Sequence, residues 1–434
     1  MMLTVSAAAS AADTLRVDLN KALEVALSDN PTIKIADKEI ARVDYSKKTA
    51  WLGLMPTLDA SASYTRNVKR QTMSMGGANI VIGQDNSVSA SFNLALPLIV
   101  PALWVSIQMT ELDMQLAAES ARASKITLRN DVKKAFYGIL LAQDSYATLK
   151  EGYDVAKQNY ENAKQRYEVG AAAEYDLVSS EVQMRNLMPT LLQVENGVKQ
   201  SKLYLKVLMG LDAAVEMLVD GTLIDFEDEL KEFAEDKQVS LTDNTNLIQL
   251  DIQQKKLVKA LWLQRTQRMP TLVGFGSFTY AGAGNDNEEA SMFNPMQPTP
   301  AGMNWFDPAF AVGLQLKVPI FSGLTNITKE RQLKVQALQL DMQREYLENN
   351  LNISAIAAID NMNKAVEQVQ SNKDNVRLAQ KGYDISQKRY ETGGGTMLEL
   401  QGAALALTQS RLSYSQAISD YLSAKAEFEK IVGL

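Results

Sequence analysis

Few side chains in this sequence could carry out chemistry, and the most suggestive are a matched pair of carboxylates. Asp176 lies six residues after Gly170, and Glu399 lies six after Gly393. Each glycine closes a nearly identical pentapeptide, RYEVG at 166–170 and RYETG at 389–393, so Arg166, Tyr167, Arg389 and Tyr390 recur with them. Carboxylates brought together at a narrow place attract cations and repel anions. The partners that catalysis usually needs are missing. The 434 residues contain no histidine and no cysteine, which removes the commonest general base, thiolate nucleophiles, disulfides and the usual structural zinc ligands. A second acidic group, GNDNEE at 284–289, sits in a stretch rich in Gly, Asn, Met and Pro and reads as a solvated loop. No catalytic, cofactor-binding or metal-binding residue is expected, so the chain is not expected to be an enzyme or to need a cofactor.

Composition agrees with a folded chain of mixed charge. Hydrophobic residues make up 46% and charged residues 22%, with a net charge of −7. No basic footprint for nucleic acid is present. The start, MMLTVSAAASAAD, reads as the remnant of a secretory signal over residues 1–12. The longest apolar run, LALPLIVPALWV at 94–105, holds two prolines and falls short of the ~20 residues a membrane helix needs. Any passage through a membrane must therefore use another structure.

The pentapeptides belong to a longer repeat. SDNPTI at 28–33 corresponds to TDNTNL at 242–247, and MPTL at 55–58 recurs at 269–272. LALPLI at 94–99 corresponds to LKVPIF at 316–321, and YENAKQRYEVG at 160–170 to YDISQKRYETG at 383–393. One unit is written twice, over 13–212 and 241–434, with an acidic insert over 213–240 between the copies. Each copy runs helix, two alternating stretches around a loop, a long helix, the pentapeptide, and a second long helix.

Apolar and small residues in the long segments follow a 4,3 spacing: Leu149, Tyr153, Ala156, Tyr160, Ala163 and Tyr167 in one, and Tyr414, Ala417, Tyr421, Ala424, Phe428 and Ile431 in another. This is a coiled-coil seam rich in Ala, Ser and Tyr, suited to shallow contacts with more than one neighbour. Residues 102–166 as one helix would span roughly 98 Å at ~1.5 Å per residue. Gly170 and Gly393 suit left-handed helix C-caps, so the pentapeptides mark the tips of two helical hairpins.

The alternating stretches read as β. Leu58, Ala60, Ala62 and Tyr64 share one face of a strand, with Asp59, Ser61, Ser63 and Thr65 on the other. Val88, Ala90, Phe92, Leu94 and Leu96 repeat the pattern, as do Phe310, Val312, Leu314, Leu316 and Val318. A period of two over about ten residues is the mark of a transmembrane β-strand, apolar toward lipid and polar toward a wet lumen. PTLVGFGSFTY is weaker, because Val273 and Phe275 interrupt its polar face. Four strands cannot close a barrel, which needs at least ~8, and an open edge cannot face lipid. Two or three copies must therefore associate.

These features together resemble the TolC family of bacterial outer membrane efflux proteins over nearly the whole chain. The residues that carry the resemblance are the duplicated layout, MPTL before the strands, VPIFSG at 318–323 and the tips QRYEVG and KRYETG. The resemblance implies a mainly α fold with a transmembrane β portion: a homotrimer whose twelve-strand barrel in the outer membrane continues into a periplasmic barrel of long helical hairpins. It implies a passive exit duct for a tripartite efflux or type I secretion system, working with a periplasmic adaptor and an inner-membrane transporter. The insert would lie in the family's equatorial region. Arg166, Tyr167, Gly170, Arg389, Tyr390 and Gly393 would form adaptor-docking tips, and Asp176 and Glu399 the periplasmic aperture. Relatives hold that aperture with an arginine and a second acidic residue, where this chain has Gly395 and Gly402. No arginine is expected near the carboxylates, which gives a thin gate network and cation selectivity. With no cysteine, no lipid anchor is expected. The alternative reading is a secreted oligomeric coiled-coil scaffold or adhesin.

Overall fold

The computed structural model describes residues 15–75, 78–231, 239–287 and 301–434. The signal remnant, part of the insert and the last two residues of GNDNEE lie outside them. In chain order, β1 (Leu15–Val17), α1 (Leu19–Asp29) and α2 (Pro31–Leu52) lead into β2 (Thr57–Arg66), β3 (Gln71–Met75), β4 (Ala78–Ile82) and β5 (Asn86–Ile99). The first helical hairpin is α3 (Pro101–Glu168) and α4 (Glu174–Met209). After β6 (Met217–Val219) and a 3₁₀ turn (Leu223–Glu229) come α5 (Thr245–Thr266), β7 (Thr271–Asn285), β8 (Gly302–Trp305) and β9 (Ala309–Lys317). The second hairpin is α6 (Thr325–Glu391) and α7 (Met397–Val432). The long segment is one helix of 68 residues, as its spacing predicts.

The chain forms two compact units, and each takes its segments from both copies of the repeat. One comprises Met1–Ala41, Leu116–Ile252 and Asp341–Leu434; the other comprises Arg42–Gln115 and Gln253–Leu340. The first is mainly helical, with β1 and β6 paired in parallel. Its core joins α3 residues Val132, Phe136, Ile139 and Leu140 to α7 residues Ile418, Tyr421 and Leu422, with Met362 of α6 and Leu205 and Met209 of α4. The 3₁₀ turn is strapped onto this core. The Tyr421 hydroxyl meets Glu229 O and Lys231 N–H, Tyr414 donates to Glu227 at 2.8 Å, and Lys373 binds Glu227 at 2.6 Å.

Each copy closes on its own beginning. Asn30 separates α1 from α2, where the sequence suggests one helix. Its Nδ2 donates to Leu208 O at 2.7 Å and its Oδ1 accepts from Thr32 N–H. Asn244 does the same in the second copy, donating to Ile431 O at 2.8 Å and accepting from Asn246 N–H. Both asparagines are buried. One side chain thus satisfies two orphan groups, a carbonyl at one helix end and an N–H at the start of another. Gly210 and Gly433 complete the joints in left-handed caps, pressed against Asp29 and Asp243.

The second unit is built on an antiparallel sheet in the order β2-β5-β7-β9, with β8 also on β7. Two features differ from the sequence reading. The loop expected between the first two alternating stretches contains the β3–β4 hairpin. PTLVGFGSFTY, the weakest alternating stretch, is an inner strand, hydrogen-bonded to β5 on one side and β9 on the other. Its glycines explain the weak pattern, since Gly274 and Gly276 leave the apolar face to Leu98, Leu94, Leu314 and Val312 of adjacent strands.

Candidate functional site

The two pentapeptides build the same turn. Gly170 N–H donates to Tyr167 O at 2.9 Å and Ala171 N–H to Arg166 O at 2.7 Å. In the second copy Gly393 donates to Tyr390 O at 3.2 Å and Gly394 to Arg389 O at 2.8 Å. This pair of bonds is a Schellman motif, and it needs the left-handed backbone found at Gly170 (φ 74°) and Gly393 (φ 77°). The turns use only the carbonyls of the Arg-Tyr pair, so the side chains are available for other contacts. Arg166 lays its guanidinium 5.1 Å from the centre of the Tyr390 ring. Behind this contact Ala163, Met397 and Leu400 are buried, with Tyr383 and Tyr390 packed on them. Within one chain, then, the two tips meet.

The carboxylates sit in the first turns of the returning helices. Glu399 closes a capping box with Thr396: Glu399 N–H donates to Thr396 Oγ1 at 3.2 Å, and Thr396 N–H to Glu399 Oε2 at 3.4 Å. Contrary to the sequence expectation, an arginine is close. Arg389 Nη1 lies 3.5 Å from Glu399 Oε2, and its Nη2 donates to Gly394 O at 3.0 Å. The tight turn brings the last turn of α6 against the first turn of α7, so an arginine before the glycine reaches a carboxylate after it. The same tightness accounts for Gly395, where a Cβ would lie 3.0 Å from Arg389 Cβ and 3.2 Å from Tyr390 N. Asp176 occupies the matching turn of α4, whose N-cap, Ala173, offers no side-chain acceptor. At Gly402 the structure leaves open space.

The sheet sorts its side chains into uniform rows. Leu58, Leu94, Gly276 and Val312 lie across from one another, as do Ala60, Phe92, Phe278 and Phe310. On the opposite face Asp59, Asn93, Ser277 and Ala311 form one row, and hydroxyl pairs join Ser61 to Ser91 and Ser63 to Ser89 at 2.8 Å. Phe275 interrupts the polar face as its sequence position suggests; its ring lies over Gly313, where a Cβ would come within 2.8 Å. The apolar face is uncovered: Phe310 and Val312 are each 72% exposed. Aromatic pairs stand at both ends of the strands. Tyr280 and Trp305 stack at 5.2 Å near the loops, and Trp51 and Trp104 meet edge to face at 6.2 Å near the helices. Such belts mark the interfaces of a membrane barrel. No described helix is long and apolar enough to cross a membrane. At the loop end, Asp286 of the GNDNEE stretch pairs with Arg66 at 2.8 Å.

The sequence profile described as outer membrane efflux protein matches residues 22–211 and 238–434. The chain belongs to this family. Its place is the outer membrane of a Gram-negative bacterium, with a periplasmic extension. The chain is 22% identical over 391 residues to outer membrane protein TolC of Vibrio cholerae, covering 88% of this chain and 82% of that one. Among solved structures it resembles the Campylobacter jejuni CmeC outer membrane channel, with a TM-score of 0.77, 15% identity and coverage of 96% and 85%. It also resembles the open state of the Neisseria gonorrhoeae MtrE channel, with a TM-score of 0.72, 15% identity and coverage of 96% and 88%. At these identities the two structures speak for the fold.

Sequence reasoning placed Gly170 and Gly393 in left-handed turns that end the long helices, as the structure has them. It missed the Arg389–Glu399 ion pair and the role of Asn30 and Asn244. The repeat itself held the second signal, because Asp-Asn is retained in SDNPTI and TDNTNL.

Proposed function

We propose that this protein is the exit duct of a tripartite efflux or type I secretion system, a passive channel closed by three copies. One observation carries the reading. The sheet presents an uncovered apolar face, and among the described residues its outer strands β2 and β9 each pair on one side only. In lipid an unpaired edge costs several kcal/mol per group, so β9 of one copy must pair with β2 of the next until the sheet closes. Three copies give the twelve strands that the family resemblance implies. Family membership favours this over a secreted scaffold or adhesin. The copies 13–212 and 241–434, joined by the insert at 213–240, serve as quasi-equivalent staves. The tips, with Arg166, Tyr167, Gly170, Arg389, Tyr390 and Gly393, dock a periplasmic adaptor that links the duct to an inner-membrane transporter. Asp176 and Glu399 line the aperture, and the Arg389 partner of Glu399 leaves Asp176 the larger share of its negative field.

Light scattering of detergent-solubilised protein should give a three-chain particle; a monomer or dimer refutes the closure. A photocrosslinker at Gly170 should capture an adaptor in cells. Capture of no periplasmic protein refutes the docking role.

A further inference from the structure

The arginines of the two pentapeptides are repeat equivalents, yet they have different partners. Arg166, in the first copy, lies over Tyr390 of the second. The equivalent contact would run from Arg389 to Tyr167. Within the chain Arg389 instead donates to Gly394 O and pairs with Glu399. Its side chain remains 56% exposed, and Tyr167 is 42% exposed. Both of these bonds use the edge of the guanidinium. A guanidinium donates along its edge and stacks through its face, so it can do both at once.

Strand order says what could meet that face. Inside the chain β5 of the first copy pairs with β7 of the second, leaving β9 of the second and β2 of the first as outer edges. Closing a ring of chains sets the second copy of each beside the first copy of the next. The step between copies inside a chain is then repeated, approximately, between chains. A contact made by the first step recurs at the second wherever the same residues are present. They are present here, since both copies carry Arg-Tyr at the same place before the glycine and fold it into the same turn.

We propose that Arg389 of each chain stacks on Tyr167 of the neighbouring copy, so that the ring of tips is held by alternating intrachain and interchain Arg–Tyr contacts. This rests on the closed assembly proposed above. It gives Arg389 two tasks: its edge holds Glu399 of its own chain, and its face holds the neighbour. The aperture carboxylate is thereby linked to the contact that keeps adjacent chains together.

The natural chain has no cysteine, so introduced thiols meet no background. The full chain carrying Tyr167→Cys and Arg389→Cys, treated in outer membranes with a short bismaleimide, should give covalent dimers and trimers on denaturing gels. Arg166→Cys with Tyr390→Cys should link within the chain and leave the monomer mass unchanged. Light scattering on the same preparations separates the two ideas. A three-chain particle without the interchain link overturns the stack and leaves the closed assembly standing. A one- or two-chain particle overturns the assembly and the stack with it. In planar bilayers Tyr167→Leu should raise the closed-state conductance at least twofold, and Tyr167→Phe, which keeps the ring face, should not. Equal conductance for the Leu variant and the natural chain overturns the holding role.

Discussion

Replacing Gly210 by alanine separates two costs that other glycines of this chain confuse. Gly170 and Gly210 have nearly the same backbone, φ 74° and φ 70°, and both close Schellman turns. A Cβ on Gly170 meets nothing within 4 Å, so Gly170→Ala introduces only the strain of a left-handed alanine, about 1 kcal/mol. A Cβ on Gly210 would lie 2.7 Å from Asp29 O and 2.9 Å from Asp29 C, where ordinary contact begins at 3.4 Å. These are backbone atoms and cannot swing aside. Moving them disturbs the neighbouring Asn30, whose Nδ2 holds Leu208 O at 2.7 Å. Leaving that buried amide unpaired adds about 1–3 kcal/mol, for a total of about 2–4 kcal/mol. The assay is the thermal unfolding midpoint in detergent at one scan rate, with Gly170→Ala as the control. Gly433→Ala supplies the second copy of the experiment, its Cβ falling 2.1 Å from Asp243 O. Gly210→Ala should lower the midpoint at least twice as far as Gly170→Ala. Equal shifts would refute the claim that each copy is locked at its own start.

The strap carries a pH dependence. The Glu227 carboxyl lies below its ordinary value of 4.5, first because Lys373 donates to it and further because Tyr414 does, against the opposing effect of burial. Its stabilising share is complete above 4.5 and disappears as pH falls through the lower folded value, so Glu227→Gln should lower the unfolding midpoint at neutral pH and flatten its acid limb. On the sheet, Phe310→Lys should cost about 2–4 kcal/mol if the side chain faces the middle of the bilayer. Ser91→Lys on the opposite face should assemble normally; yields of heat-resistant oligomer measure both, and equal yields refute the assignment of faces. At the aperture, Asp176→Asn should reduce cation selectivity in planar bilayers more than Glu399→Gln, because Arg389 already offsets Glu399. Unchanged selectivity in the double variant would place the constriction elsewhere.

Much of this fold is written in period. Two-residue alternation located β2, β5 and β9, and the 4,3 seam located the long helices, because each stripe must meet a surface of matching polarity. Period failed at β7, where the apolar face is filled by adjacent strands leaning over Gly274 and Gly276. It failed again at β3 and β4, which among the described residues pair with each other alone, in a segment read as a loop. The break at Asn30 was hidden because its cause is a long-range bond to Leu208 O, which no local spacing reveals.

The tips show most clearly how far a repeat can be read. Two copies of RYxxG correctly mark two identical turns, because the requirement for a left-handed glycine is local. They do not reveal that Arg166 and Arg389 take different partners. Equivalence in the repeat says which residues share a backbone, whereas partners depend on which copy stands alongside. The family resemblance points after the glycine, to Gly395, whereas the arginine beside Glu399 is Arg389, before it. The turn crowds a side chain at Gly395, since a Cβ would lie 3.0 Å from Arg389 Cβ, and the guanidinium Arg389 carries reaches Glu399 from the preceding helix. The charge is thus supplied from the other side of the turn, and Glu399 keeps a cation beside it although the positions after the glycine hold none.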